Sequence, residues 1–110
     1  MKTLKNIGFQ GDVMLILRDA LPADAVALPR TGRLVVAHSE TGHHHAIEQL
    51  DVVMYGTSDP LVCYLQIADY AELMHHRPWH THEAWRLPAG VIEVRRQREY
   101  TPDGWRQVQD

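Results

Sequence analysis

Short apolar runs separated by turn residues constrain the fold of this chain more than any other feature of its sequence. The runs are rich in β-branched and aromatic residues and are bounded by Gly, Pro and Asp. No stretch keeps the apolar period of about 3.6 residues that marks an amphipathic helix. The sequence therefore predicts an all-β fold, a small single-domain barrel or sandwich of about six to eight short strands that spans residues 1–110.

The length and composition suit one domain with a genuine core. The chain has 110 residues, of which 45% are apolar and 23% are charged, and these shares are ordinary for a globular protein. Pro88 to Gly90 is predicted to be a turn, and residues 71–75 are expected either to extend a strand after a bulge or to form one helical turn. Strands are predicted at 13–17, 34–38, two halves of 43–55, 61–68, 79–87, 91–100 and 105–109.

Charge and apolar pattern argue against several classes of protein. The formal net charge of −3 disfavours a strongly basic nucleic-acid module. No apolar run approaches the ~20 residues that cross a bilayer, and the first residues lack the apolar stretch of a signal peptide. Cys63 is the single cysteine, so no intramolecular disulfide can form, and a buried core thiol is expected there rather than a nucleophile. We expect a cytoplasmic protein without membrane association.

Histidines are unusually frequent, with eight in the chain, and most lie in two clusters. Side chains two residues apart in a strand share a face, so His43 should lie beside His45, and His80 beside His82. Neutral imidazole is a common ligand of zinc and iron. We therefore predict one transition-metal site, zinc or iron, with His43, His45, His80 and His82 as its ligands.

Other interpretations of the clusters stay open. Nearby carboxylates, at Glu40, Glu48 and Glu83, could complete or orient a metal site. His75 and His76 lie near a predicted turn and are expected on the surface. Exposed histidines, or buried ones that hydrogen-bond to carbonyls, need no ion. Whether the two clusters meet, and whether the protein is an enzyme, are left undecided by the sequence.

The strand at 91–100 changes character along its length. Its even-numbered face begins apolar and ends in Arg96, Arg98 and Tyr100, which are predicted to bind a ligand at a rim of the fold. Arginine with aromatic side chains suits anionic ligands or single-stranded nucleic acid. The alternative is a cross-strand salt-bridge ladder, in which Glu93 and Glu99 pair with neighbouring cations.

Two segments resemble known groups of proteins. Thr41–His45 and Leu87–Pro102 are similar to a TGHxH … LPxGxxxVxxQREYxP pattern of small uncharacterised bacterial and phage-associated proteins. Gly42–His45 also resembles, over a shorter stretch, the first motif of the cupins, which holds His-x-His with a glutamate and a glycine. The cupin resemblance implies a β-barrel around a metal, and the other resemblance implies no particular activity.

Three functions are consistent with these patterns. The first is a cupin-like, metal-binding β-barrel. The second is a non-catalytic interaction or structural module, for example an Sm-like or a phage-derived one, that forms a homo-oligomer. The third is weak nucleic-acid binding. Because small β folds expose edge strands, pairing between copies is expected at 13–17 or at 61–67.

Overall fold

The computed structural model describes residues 1–37, 44–77, 80–96, 98–101 and 104–107, with side chains described at 1–37, 44–75 and 84–96. The regular secondary structure of these residues is entirely β-strand, which confirms the all-β prediction. No helix among them is long and apolar enough to span a membrane. The strands are β1 (Lys2–Thr3), β2 (Ile7–Gln10), β3 (Val13–Arg18), β4 (Val26–Ala27), β5 (Leu34–Ala37), β6 (His44–Ile47), β7 (Val52–Gly56), β8 (Val62–Arg77), β9 (His80–Arg96), β10 (Arg98–Thr101) and β11 (Gly104–Gln107).

A long antiparallel hairpin of β8 and β9 forms the spine of a nine-stranded sheet. The main path runs β2-β3-β9-β8-β6-β5. One half of β8 also pairs with β7, the other half pairs with β6, and β1 joins β9 in parallel. Strands β10 and β11 form a separate two-stranded sheet. Across the described ranges the large sheet does not close into a barrel, and the fold is sandwich-like around one core.

A bulge divides the spine into its two halves. The register shifts between Ile67 and Tyr70 on β8, opposite Pro88 and Gly90 on β9. Proline lacks an N–H to donate, and Gly90 has a φ of 127°, so both residues suit a bulge better than a regular ladder. The prediction of a turn at 88–90 is therefore wrong, because β9 runs through these residues.

Strand number and length also differ from the prediction. The described residues form eleven strands rather than about six to eight, and β8 and β9 are 16 and 17 residues long. Residues 71–75 extend β8 past the bulge, which was one of the two predicted alternatives. The two-residue strands β1 and β4 are too short to carry any periodicity in the sequence.

One apolar core joins both halves of the spine. Leu15 of β3, Cys63 of β8 and Val94 of β9 lie at one half of the spine, and Ile47 of β6 and Leu73 of β8 lie at the other. Cys63 is buried, and its burial raises the pKa of the thiol, which confirms the predicted core role. A sulfur kept as the neutral thiol in this setting acts as a small apolar side chain.

The strands predicted as oligomer interfaces lie inside the sheet. β3 is paired on one side by β2 and on the other by β9. The first half of β8 is paired by β7 and by β9. The prediction of edge-to-edge pairing at 13–17 or 61–67 is therefore wrong, because the backbone groups of both strands are already used in the ladder.

Candidate functional site

His45 and His75 form a buried pair in the β6–β8 ladder, near the start of β6 and the end of β8. The register places His45 opposite His75, and His44 opposite His76. His45 and His75 are each 1% exposed. Their rings stack with centroids 4.1 Å apart and planes 16° from parallel. Polar side chains of this kind are seldom removed from water without a structural or chemical reason.

Gln10, at the end of β2, determines which nitrogen of the His45 ring carries the proton. The Gln10 Nε2 group donates to the carbonyl of Leu73 at 2.7 Å, and a carbonyl can only accept. The Gln10 Oε1 atom must then face His45 Nδ1, which lies 2.8 Å away. Nδ1 therefore carries the proton and donates it. In the neutral ring the lone pair then lies on Nε2, which is the nitrogen that binds a metal in this tautomer.

The structure describes the four predicted metal ligands to different extents. His45 is described in full, and His43 lies outside the described residues. His80 and His82 lie in β9, where the backbone alone is described. His80 is in register with Arg77, and Glu83 rather than His82 is in register with His75.

Sequence reasoning missed two residues of this site. The prediction that His75 lies on the surface is wrong, because β8 continues to Arg77 and carries His75 into the interior. Gln10 belongs to no motif. The one sequence feature that could have pointed to it is its place beside a glycine turn at the end of a short strand. Within the part of the chain that the structure describes, no group of three or more His, Cys, Asp or Glu side chains could hold a metal ion.

A second polar cluster lies on the outer face of the sheet around Glu93, which is 2% exposed. Glu93 accepts hydrogen bonds from the Tyr64 hydroxyl at 2.8 Å, from Arg18 Nε at 3.1 Å and from Arg95 Nε. Burial raises the pKa of Glu93, but the hydrogen bonds from Tyr64, Arg95 and Arg18 outweigh burial and hold the pKa below its ordinary value. Burial and the Glu93 carboxylate together raise the pKa of Tyr64. The cross-strand salt-bridge interpretation is therefore confirmed for Glu93.

The predicted ligand-binding residues divide between two sheets. Arg96 ends β9 in the large sheet, is half-buried, and donates from Nη1 to the Pro60 carbonyl at 3.1 Å. Arg98 and Tyr100 lie in β10 of the small sheet, and Tyr100 is in register with Trp105. Their side chains lie outside the described residues. Arg96 thus holds a neighbouring turn, and a shared site for the three residues stays a prediction.

Comparison with known proteins gives one match. No curated protein and no solved structure matches the chain. A family model matches residues 9–97, a range that includes Gln10, both buried histidines and Glu93. The description of the family assigns no reaction or ligand. Because the match covers most of the chain, the protein belongs to the family described as Domain of unknown function (DUF8820).

Proposed function

We propose that this protein binds one first-row transition metal, zinc or iron, through His45 Nε2 and an imidazole nitrogen of His75. The observation that carries the proposal is the buried contact between the two rings, with His45 Nδ1 held by Gln10. Histidines that ligate metals almost always donate their other N–H to a carbonyl or carboxylate partner, which fixes the tautomer. The Gln10 amide oxygen supplies such a partner here.

Further ligands would come from the chain segments that adjoin the pair. The predicted ligands His80 and His82 belong to β9, which pairs with β8, and Glu83 occupies the β9 position in register with His75. The predicted ligand His43 directly precedes β6 in the sequence. One more protein ligand would leave an open position for water or substrate, as in a cupin-like catalytic site. Two more would close the coordination shell and make the metal structural.

Metal binding requires the stacked rings to move. A metal lies close to the plane of each imidazole that binds it, at about 2.0–2.1 Å from the nitrogen. Two rings that stack 16° from parallel cannot both point at one ion. At least one ring must therefore rotate when the metal binds, and the imidazole NMR signals of both histidines are expected to shift together at one equivalent of zinc.

Elemental mass spectrometry tests the proposal. The protein must be untagged and purified without a nickel column. We expect about one equivalent of zinc or iron in the wild type, and zinc affinity at least tenfold weaker in His75→Phe, which keeps an aromatic ring but removes the ligand. His44→Gln is the matched control, because His44 neighbours His45 but is in register with His76. Metal retained by His75→Phe would contradict the proposal. So would a metal-free wild type whose thermal stability is unchanged by added zinc.

The same assay identifies the remaining ligands. Alanine variants of His43, His80 and His82, together with Glu83→Gln, are compared with the wild type for bound metal. The variants that lose the metal while their circular dichroism stays unchanged contain the missing ligands. Loss in one variant indicates an open site, and loss in two indicates a closed one.

A further inference from the structure

Among the described residues, no strand pairs with the outer edge of β2. Within the described ranges, β2 ends the sheet and pairs with β3 alone. A two-residue turn, Gly11–Asp12, joins the two strands, so the hydrogen-bonded pairs fall at Gln10, Gly8 and Asn6 on the β2 side. The bond from Leu17 N–H to the Asn6 carbonyl, at 2.8 Å, fits this phase. The N–H and C=O groups of the alternate residues, Ile7 and Phe9, therefore point away from β3 and toward the open edge.

The same alternate residues expose large apolar side chains. Ile7 is 57% exposed and Phe9 is 50% exposed. They lie in register with Ile16 and Met14, which are themselves partly exposed on the same outer face. Natural edge strands usually block pairing with a charged residue or a proline, and neither stands at these two positions. The edge thus combines free backbone groups with apolar surface, as a strand-pairing surface requires.

We propose that β2 pairs antiparallel with β2 of a second copy of this chain, about a two-fold axis at Gly8. In this register Ile7 of each copy faces Phe9 of the other. Four backbone hydrogen bonds then form between outward-pointing groups, and the four side chains make one cross-strand apolar cluster. The interface is isologous, because each copy contributes the same strand.

Charge favours a second copy over a strand from another protein. The exposed Lys5 precedes β2 and the half-buried Asp12 follows it, so the strand has a cation at one end and a carboxylate at the other. Antiparallel self-pairing brings Lys5 of each copy beside the Gly11–Asp12 turn of the other, and opposite charges meet at both ends. A four-residue strand buries far less accessible surface than the about 1,200 Å² at the lower end of standard interfaces, so a weak dimer with a micromolar dissociation constant is expected.

Sedimentation equilibrium in the presence of a chelator tests the dimer without any contribution from metal. The wild type should form dimers as its concentration rises from about 10 µM to about 500 µM. Phe9→Lys should raise the dissociation constant at least tenfold. Phe9→Pro should do the same while keeping the fold, because the N–H that it removes is not used by β3. Leu50→Lys is the control, since Leu50 is 84% exposed but lies in the turn between β6 and β7.

Cysteine cross-linking tests the register. A mixture of Ile7→Cys and Phe9→Cys chains should form an intermolecular disulfide more readily than either variant alone, because these positions face each other. The native Cys63 is buried, so it should not take part in the cross-linking. A wild type that stays monomeric at every concentration would overturn the proposal and leave the edge to a different protein. A dimer that survives both Phe9 substitutions, or cross-links equally in Ile7→Cys alone, would overturn it as well.

Discussion

Gln10 and His45, which are 35 residues apart in the sequence, share a hydrogen bond of 2.8 Å inside the core. The same amide donates to the Leu73 carbonyl, so one side chain ties the end of β2 to β6 and β8. These are the two strands that carry the histidine pair. The orientation of the His45 ring therefore depends on a hairpin that is distant in the sequence.

Replacing Gln10 should destabilise the protein markedly. Gln10→Leu keeps most of the volume but removes the partner of His45 Nδ1 and of the Leu73 carbonyl. We expect the free energy of unfolding to fall by about 2–4 kcal/mol, since buried polar groups lose their hydrogen bonds. Urea denaturation measures the change. Gln66→Leu is the control, because Gln66 is exposed and should change stability by less than about 0.5 kcal/mol; equal losses in the two variants would contradict the role of Gln10.

The Glu93 cluster should make stability depend on pH in the acid range. The folded-state pKa of Glu93 lies below its ordinary value of 4.5, so its contribution is present above that value and is lost as the pH falls through the folded pKa. Glu93→Gln should lower the free energy of unfolding by about 1–3 kcal/mol at pH 7, a range reduced because Arg18 and Arg95 are half-exposed. The difference from the wild type should shrink toward pH 3.

Urea denaturation at several pH values between 3 and 7 measures this dependence. Glu48→Gln is the control, because Glu48 is exposed on the surface. A difference between the wild type and Glu93→Gln that stays constant over the whole range would show that the Glu93 charge adds nothing to stability.

A side chain at position 8 should not fit. A Cβ added to Gly8 would lie 2.7 Å and 2.8 Å from two atoms of the Trp85 ring. Gly8→Ala must displace that half-buried ring, and we expect a loss of about 1–3 kcal/mol in the free energy of unfolding. A Cβ at Gly56 would meet Leu28 no closer than 3.4 Å, so Gly56→Ala should stay within about 0.5 kcal/mol of the wild type. Thermal unfolding of dilute samples compares them, and similar melting temperatures would contradict this prediction.

Arg30 should hold the turn between β6 and β7. Its two terminal nitrogens donate to four carbonyls, those of Ile47, Glu48, Gln49 and Val52. Lysine carries the same charge but cannot span several acceptors with one ammonium group. Arg30→Lys should therefore lower the free energy of unfolding by about 1–3 kcal/mol and speed amide exchange at 48–52. Hydrogen-exchange mass spectrometry reports the exchange rate, with the exposed Arg33→Lys as control; unchanged exchange in Arg30→Lys would refute the prediction.

The positions of most strands were predictable because burial alternates locally. The apolar runs located β3 and β5 to within one residue, and the split near residues 49–51 separated β6 from β7. The bulge at Pro88 and Gly90 was not predictable in the same way. Proline and glycine serve turns and bulges alike, and only the partner strand decides which one forms.

The sequence by itself determined the all-β class, the core role of Cys63 and the placement of His45 in a strand. Each of these follows from the side chains of a few consecutive residues. Only the tertiary structure decided that His75 is buried, that Gln10 orients His45, and that β2 rather than β3 lies at an edge. These properties depend on which distant strands become neighbours, and that choice is made by packing one common core rather than by any local pattern.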